Sequence, residues 1–417
     1  MSESNSFEEI LNKIKALGIH QGVDNLRTKQ NKAIAIDKII AGFYEDNEFG
    51  QTFIKDEIFP NSYNHGNVAF SKTFSTRFEF ISKYSNIDFY HKLVDHTLFF
   101  DTETSGLSGG AGTFIFLAGY GYFTLNGFVL KQFFMPDPGS EQSLLQSMGK
   151  FLPDFNFLVS FNGRSFDEPM MNNRYRIYGL PSPLSSMQHF DMLHIARKLW
   201  KLRLPSRALK DLEVEILRLQ RSSEEIPGWM VPEIYAEYLH TGDASPLAGV
   251  FYHNAMDILS LAALTLHVGE VLDEIDGDIT MPPEDLYSVA LMCRNDGQVE
   301  KACKLLEICM KINPIDDVAY KAITLYADLR KKEGDYVTAA KFWETAVQRY
   351  ADWVSSVELA KYYEHHKLEY HTAIQWTDKA IELLLASTLP EYKKDSQYQE
   401  LQNRLKRLVK KRKMVNN

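Results

Sequence analysis

Two short apolar runs that end on carboxylates constrain this chain more than any other feature. Leu98-Phe99-Phe100 leads directly into Asp101-Thr102-Glu103, and Phe157 to Phe161 leads into Asn162-Gly163-Arg164-Ser165-Phe166-Asp167. Short apolar runs bounded by turn residues read as buried strands. On a strand, residues i and i+2 face the same side, so Asp101 and Glu103 point together from one strand. Neighbouring like charges are costly unless a cation lies between them. A further acid, Asp257, closes His253-Asn254-Ala255-Met256-Asp257 at the head of an apolar helical run to Val268.

The elements between these landmarks follow a simple order. Thr113 to Phe123 and Phe128 to Met135 are β-rich and separated by Leu125-Asn126-Gly127, a turn signal. Helical patterns cover Gln142 to Phe151, Pro169 to Tyr178, Leu193 to Leu202, Ala208 to Leu219 and Gly249 to Val268. Strands first, then alternation with helices, predict a mixed sheet with helices on its faces. Residues 96–272 are therefore expected to form one α/β domain. Residues 1–95, polar with scattered aromatics and a short amphipathic stretch at Phe7 to Leu17, are expected to be an N-terminal extension packed on it. An acidic stretch, Glu270 to Asp278, reads as a linker or helix end.

The rest of the chain has an internal period. Gly297-Gln298-Val299 precedes Ala302, and Gly334-Asp335-Tyr336 precedes Ala339, 37 residues on; Glu369-Tyr370 precedes Ala373, another 34 on. Seven residues after each alanine comes a small residue: Cys309, Ala346 and Ala380, with Pro314 closing the first unit. This pattern over residues 280–386 resembles tetratricopeptide (TPR) repeats, whose small residues let paired helices approach and whose arrays offer a surface to protein partners. An irregular helical bundle is the alternative. Residues 387–417 form a basic helical tail: Lys393 to Lys413 holds nine Lys or Arg against two Asp or Glu.

Strand with D-x-E, hairpin, helix, strand with N-G-x-x-F-D, then a late helix carrying Asp resembles the DEDD exonuclease superfamily. That resemblance implies a ribonuclease-H-like fold with a mixed five-stranded sheet, and two metal ions held by Asp101, Glu103, Asp167 and Asp257. Phosphodiester hydrolysis develops charge on attacking and leaving oxygens, and paired divalent cations stabilise both. Hard oxygen donors suit Mg²⁺ or Mn²⁺. The superfamily places Tyr four residues, or His five, before the last Asp; this chain departs from both, with His253 four before and Tyr252 five before. On a helix His253 shares a face with Asp257 while Tyr252 turns away, so His253 is the expected base for the attacking water and Tyr252 a packing residue.

The runs Thr104 to Thr113, Leu158 to Met171, His189 to Trp200, Ile226 to Pro232 and His253 to Leu264 together resemble the YprB-type ribonuclease-H-like family, bacterial proteins often followed by TPR repeats. The resemblance covers roughly residues 95–270.

Charge shapes the expectation for substrate contacts. The 417 residues carry a formal charge of -9, so nucleic acid must be held by local patches. The best one is Ala196 to Lys210, with Arg197, Lys198, Lys201, Arg203, Arg207 and Lys210 around Trp200 and no acid. Either it contacts a phosphate backbone through Arg197, Lys198, Lys201 and Arg203 and stacks a base on Trp200, or it is a solvated helix face around a buried Trp. Asn162 and Arg164 flank Asp167 and join that set. The glycine-rich Ser105 to Gly112 either admits backbone amides to a terminal nucleotide or is a flexible hairpin entry. Asp191 either supports the site or caps the helix after it. Cys293, Cys303 and Cys309 have no disulfide or zinc spacing and are expected to be reduced core residues. The N-terminus lacks a signal-peptide pattern. The most apolar stretch read from the sequence, Thr113 to Phe123, is too short to span a membrane, so the expected location is cytoplasmic.

The expected activity is metal-dependent 3′-to-5′ exonuclease action on single-stranded DNA or RNA; the direction comes from the resemblance alone. Two alternatives stand beside it. One is a nuclease-fold scaffold or nucleic-acid-binding protein acting through the TPR-like segment. The other is a structure-specific endonuclease on the same fold.

Overall fold

The computed structural model describes residues 33–106, 112–222, 225–273, 281–312 and 316–415. The expected helix at Phe7 to Leu17, residues 107–111 of the glycine-rich stretch, residues 274–278 of the acidic stretch and Pro314 lie outside them. The strands, in chain order, are β1 (Phe43–Asn47), β2 (Gly50–Pro60), β3 (Asn64–His65), β4 (Val68–Ala69), β5 (Thr97–Thr104), β6 (Ile115–Thr124), β7 (Gly127–Phe134), β8 (Phe157–Ser160) and β9 (Gln188–Asp191). All but β3 and β4 form one mixed sheet in the order β1-β2-β7-β6-β5-β8-β9. Neighbours are antiparallel except β5–β8 and β8–β9, which are parallel.

The sheet has seven strands rather than five. The two additional ones come from the N-terminal extension, where β2 pairs along the whole of β7. The sequence hides them because Lys55, Asp56 and Glu57 interrupt β2 immediately after its buried Thr52, Phe53 and Ile54.

Helices α1 (Glu79–Ser85), α2 (Phe89–His96), α3 (Glu141–Phe151), α4 (Asp167–Ile177), α5 (Met192–Leu199), α6 (Leu209–Glu215), α7 (Val231–Thr241) and α8 (Leu247–Asp273) cover the sheet. Alternation along β5 divides the core. Leu98 and Phe100 pack with Leu144, Leu145 and Met148 of α3 on one face, whereas Phe99 packs with Ile258, Leu261 and Ala262 of α8 on the other. Asp101 and Glu103 therefore share the α8 face.

α8 makes the first part of the acidic stretch a helix end, one of its two expected readings, and corrects the expectation about the most apolar segment. It runs through Glu270 to Asp273, and Asp273 accepts the Phe78 backbone N–H ahead of α1. It is also long and apolar enough to cross a membrane, which Thr113 to Phe123 is not, but 78% of its apolar window is buried inside the protein. It is the core helix of the domain.

The C-terminal region is all helical: α9 (Pro283–Asn295), α10 (Val299–Lys311), α11 (Asp316–Lys332), α12 (Tyr336–Tyr350), α13 (Trp353–Tyr362), α14 (Tyr370–Ala386) and α15 (Glu391–Val415). Each packs on the next. Ala302, Cys309, Ala339, Ala346, Ala373 and Ala380 are all fully buried, where a larger side chain would hold the helices apart. Gly297 and Gly334 turn the first two hairpins at positive φ; in the third, Leu368 adopts that conformation instead. The cysteines are buried and form no disulfide among the described residues. The region is moored to the α/β domain by Arg203, whose Nε donates to Asp285 of α9 at 3.0 Å.

Candidate active site

β5 pairs with β8 only as far as Phe99 opposite Val159, so Asp101 and Glu103 extend past the carboxyl end of the parallel strands. In open α/β sheets such ends are where ligands bind. Beyond β8 the chain turns through Asn162 at φ 67° and enters α4 at Asp167. Asp191, at the end of β9, holds this turn: it accepts from the Asn162 N–H at 2.8 Å and the Arg164 N–H at 3.2 Å, and also caps α5 through Leu193 at 3.0 Å. Of the two roles weighed for Asp191, the structure makes both.

The fourth acid arrives from α8, which can lie close to the sheet because β6 carries glycines. A Cβ on Gly119 would stand 2.1 Å from Asn254 Oδ1 and 2.3 Å from Ile258 Cδ1. Gly119 pairs with Asp101 across the strands. Asn254 is buried; its Nδ2 donates to Asp101 Oδ2 at 2.9 Å, and its Oδ1 accepts from Gln132 Nε2 at 2.9 Å. One turn further along α8, Asp257 faces the same acids.

The structure thus brings Asp101, Glu103, Asp167 and Asp257 into one electrostatic neighbourhood. Burial, then Asp257, Glu103 and Asp167, push the Asp101 carboxyl well above its ordinary range, against the Asn254 hydrogen bond. Burial, Asp257 and Asp167 do the same to Glu103, against Arg221. Asp167 is raised by burial and opposed by a hydrogen bond from Thr102 Oγ1. A cation among these groups would relieve that cost. The donor set is carboxylate oxygen, the chemistry of a hard divalent ion. Among the described residues no three acidic, His or Cys side chains converge closely enough to share one ion. Asp257 Oδ1 accepts from Arg221 Nη2.

Residues 98–268 match the RNase_H_2 family of the RNase_H superfamily. The "Uncharacterized protein YprB" of Bacillus subtilis (strain 168) is 33% identical over 344 residues, which is 79% of this chain and 80% of that protein. The chain is a YprB-type member of the RNase H superfamily. The matched segment begins in β5 and ends within α8, the two elements that carry three of the four acids.

Two of the expected nucleic-acid contacts in this YprB-type chain are corrected. Trp200 does not offer its ring to a base: it is 1% exposed and stacked on His267 in the core beside α8. Arg203 is spent on Asp285. Lys198 lies over the Tyr84 ring at 4.7 Å. Arg164, Arg197 and Lys201 are exposed. Asn162, Arg197 and Arg207 line a cavity of about 570 Å³ with Phe161 and Leu209, and the Arg207 Nε is buried without a partner. Two exposed aromatic side chains flank the site residues: Phe166, directly before Asp167, and Trp229, beside the Gly228 that adjoins His253; both are 64% exposed.

His253 and Asp257 do share a helix face, with Nε2 3.9 Å from Asp257 Oδ2. Tyr252 packs elsewhere, its hydroxyl accepting from Ser222 N–H at 3.4 Å. Sequence reasoning missed Gln132, Asn254, Glu213, Glu225 and Arg221. Only Asn254 had a signal, its place inside the His253 to Asp257 run.

Proposed function

We propose that this chain is a metal-dependent nuclease that shortens single-stranded DNA or RNA from the 3′ end. The observation that carries the reading is the set of four carboxylates from β5, α4 and α8, three of them raised, first by desolvation, with the neighbouring site acids adding to it at Asp101 and Glu103. Packing gives no reason to gather such charges. Asp101, Glu103, Asp167 and Asp257 would hold Mg²⁺ or Mn²⁺, which when bound stabilises charge on the attacking and leaving phosphate oxygens.

The remaining groups have separate tasks. Asn254 and Thr102 hold the Asp101 and Asp167 carboxylates by donated hydrogen bonds. His253, beside Asp257, contacts the attacking water. Arg164 and Arg197 draw the backbone towards the cavity beside Asn162, and Phe166 and Trp229 stack the bases.

The test is degradation of end-labelled single-stranded DNA and RNA with Mg²⁺ or Mn²⁺, comparing wild type with Asp101→Ala and Asp257→Ala. Shortening from the 3′ end that needs metal and is lost in both variants supports the proposal. Internal cuts would make the enzyme an endonuclease. No cleavage of either polymer by folded, metal-supplied protein would overturn nuclease action and favour a scaffold working through the helical region.

A further inference from the structure

Arg221 belongs to none of the acidic motifs, yet five side-chain contacts converge on it. Its side chain is 5% exposed. Nε donates to Glu213 Oε2 at 2.7 Å and Nη2 to Glu213 Oε1, which seats the planar fork on a carboxylate that is itself buried. Nη1 donates to Glu225 Oε1 at 3.0 Å. From this fixed seat Nη2 also donates to Asp257 Oδ1, and Nη1 meets His253 Nδ1 at 3.4 Å.

The last contact decides a proton position. A guanidinium has only donors and is not deprotonated in proteins, so the imidazole nitrogen it meets must accept. In the neutral ring the proton then sits on Nε2, the nitrogen 3.9 Å from Asp257 Oδ2. Glu225 Oε1, 3.7 Å from Nδ1, would call for the opposite tautomer. Arg221 stands nearer to Nδ1 and already engages that same Glu225 oxygen.

We propose that Arg221 is a positioning residue that sets the orientation of Asp257 and the tautomer of His253 together. Asp257 Oδ2 and His253 Nε2–H are then the atoms left free to meet a cation, a water or a phosphate oxygen. The chemical consequence rests on the nuclease reading: His253 enters as a hydrogen-bond donor, holding the water or a phosphate oxygen, rather than as the base its spacing suggested. Gly228 leaves room on that side, since a Cβ there would lie 3.4 Å from Nε2.

The first test needs neither metal nor substrate. In the metal-free full chain with ¹⁵N-labelled histidine, at about pH 8.5, two units above an ordinary imidazole, ring ¹H–¹⁵N correlations of His253 report its tautomer. His253→Gln assigns the signals. The expected result is protonated Nε2 with bare Nδ1; a proton on Nδ1 overturns the proposal. The second test uses Glu213→Gln/Arg221→Met, which removes the donor without leaving Glu213 as an unpaired buried charge. Its tautomer is expected to move towards Nδ1–H, and its Mn²⁺ affinity by calorimetry to fall about 10-fold, the scale of lost outer-shell support. A folded double variant with wild-type tautomer and affinity refutes the positioning role. Failure of the cleavage assay alone would leave the tautomer result standing and remove only the assignment of His253 to hydrolysis.

Discussion

Replacing Gly119 with alanine adds one methyl group where the active helix meets the sheet. The new Cβ would stand 2.1 Å from Asn254 Oδ1 and 2.3 Å from Ile258 Cδ1, whereas ordinary contact begins near 3.4 Å. Neither neighbour can step aside: Asn254 is buried and bonded to both Gln132 and Asp101, and Ile258 is fully packed. Relief therefore requires α8 to move by roughly 1 Å from β6. Overpacking of this kind costs about 1–3 kcal/mol, and loosening the Asn254 bonds adds about 1 kcal/mol, so Gly119→Ala is expected to lose about 2–4 kcal/mol. A 1 Å misplacement of reacting groups costs on the order of 10²-fold in rate. Urea unfolding measures the first quantity and end-labelled cleavage the second. Gly149→Ala is the control: its nearest neighbour would be Tyr175 Oη at 3.8 Å, so a helical alanine there is expected to be neutral or slightly stabilising. Wild-type stability and rate in Gly119→Ala would refute the argument that glycine sets the distance between helix and sheet.

Three further outcomes are expected. Asp101, Glu103 and Asp167 titrate above their unfolded values, so the folded state binds more protons across that window, and their contribution to stability falls as pH rises through it. Melting in EDTA should show Asp101→Asn gaining on wild type as pH rises above the ordinary carboxylate range; a pH-independent difference contradicts this. Trp229→Ala should weaken single-stranded oligonucleotide binding by about 1–3 kcal/mol, the value of one base stack, whereas Trp200→Ala should cost about 3–5 kcal/mol of stability. Fluorescence anisotropy and urea unfolding separate the two, and the reverse pattern would return Trp200 to the substrate. Burial works against ionisation of Glu364, but Arg407, Lys411 and Arg404 together bring its carboxyl down to about 2. That contribution is complete above about pH 4.5 and lost as pH falls through about 2. With Arg407 and Lys411 partly exposed and screened, Glu364→Gln should cost about 1–2 kcal/mol and speed hydrogen exchange in α15; unchanged exchange there would show that α15 does not depend on this cluster.

What was legible in the sequence was whatever had a period or a fixed spacing. Asp101 and Glu103 sit two apart on an apolar strand, and His253 and Asp257 four apart on a helix, so each pair declared a common face. The buried alanines of the helical hairpins showed themselves by their offsets. Arg221 could not be found this way: it lies beyond α6 in irregular backbone, and what matters about it is a meeting with groups 8 and 36 residues away. Trp200 stayed open between stacking and burial because composition records that a tryptophan lies among basic residues but not which way it faces. The amphipathic period of α5 does put it inside, next to Leu199 and Ala196. β1 and β2 escaped notice because outer strands carry charge that blurs alternation.

The Asn254–Asp101 hydrogen bond spans 153 positions of the chain, and that separation gives the site a place in time. During synthesis Asp101, Glu103 and Asp167 emerge first. Another 90 residues must follow before Asp257, about 5 to 20 seconds at ordinary elongation rates. Until α8 has emerged and docked, the sheet edge lacks its fourth carboxylate and the asparagine that holds the first. A product that stops short of α8 carries most of the sheet but not the complete four-acid site, so assembly of the site waits on the helix that also completes the core.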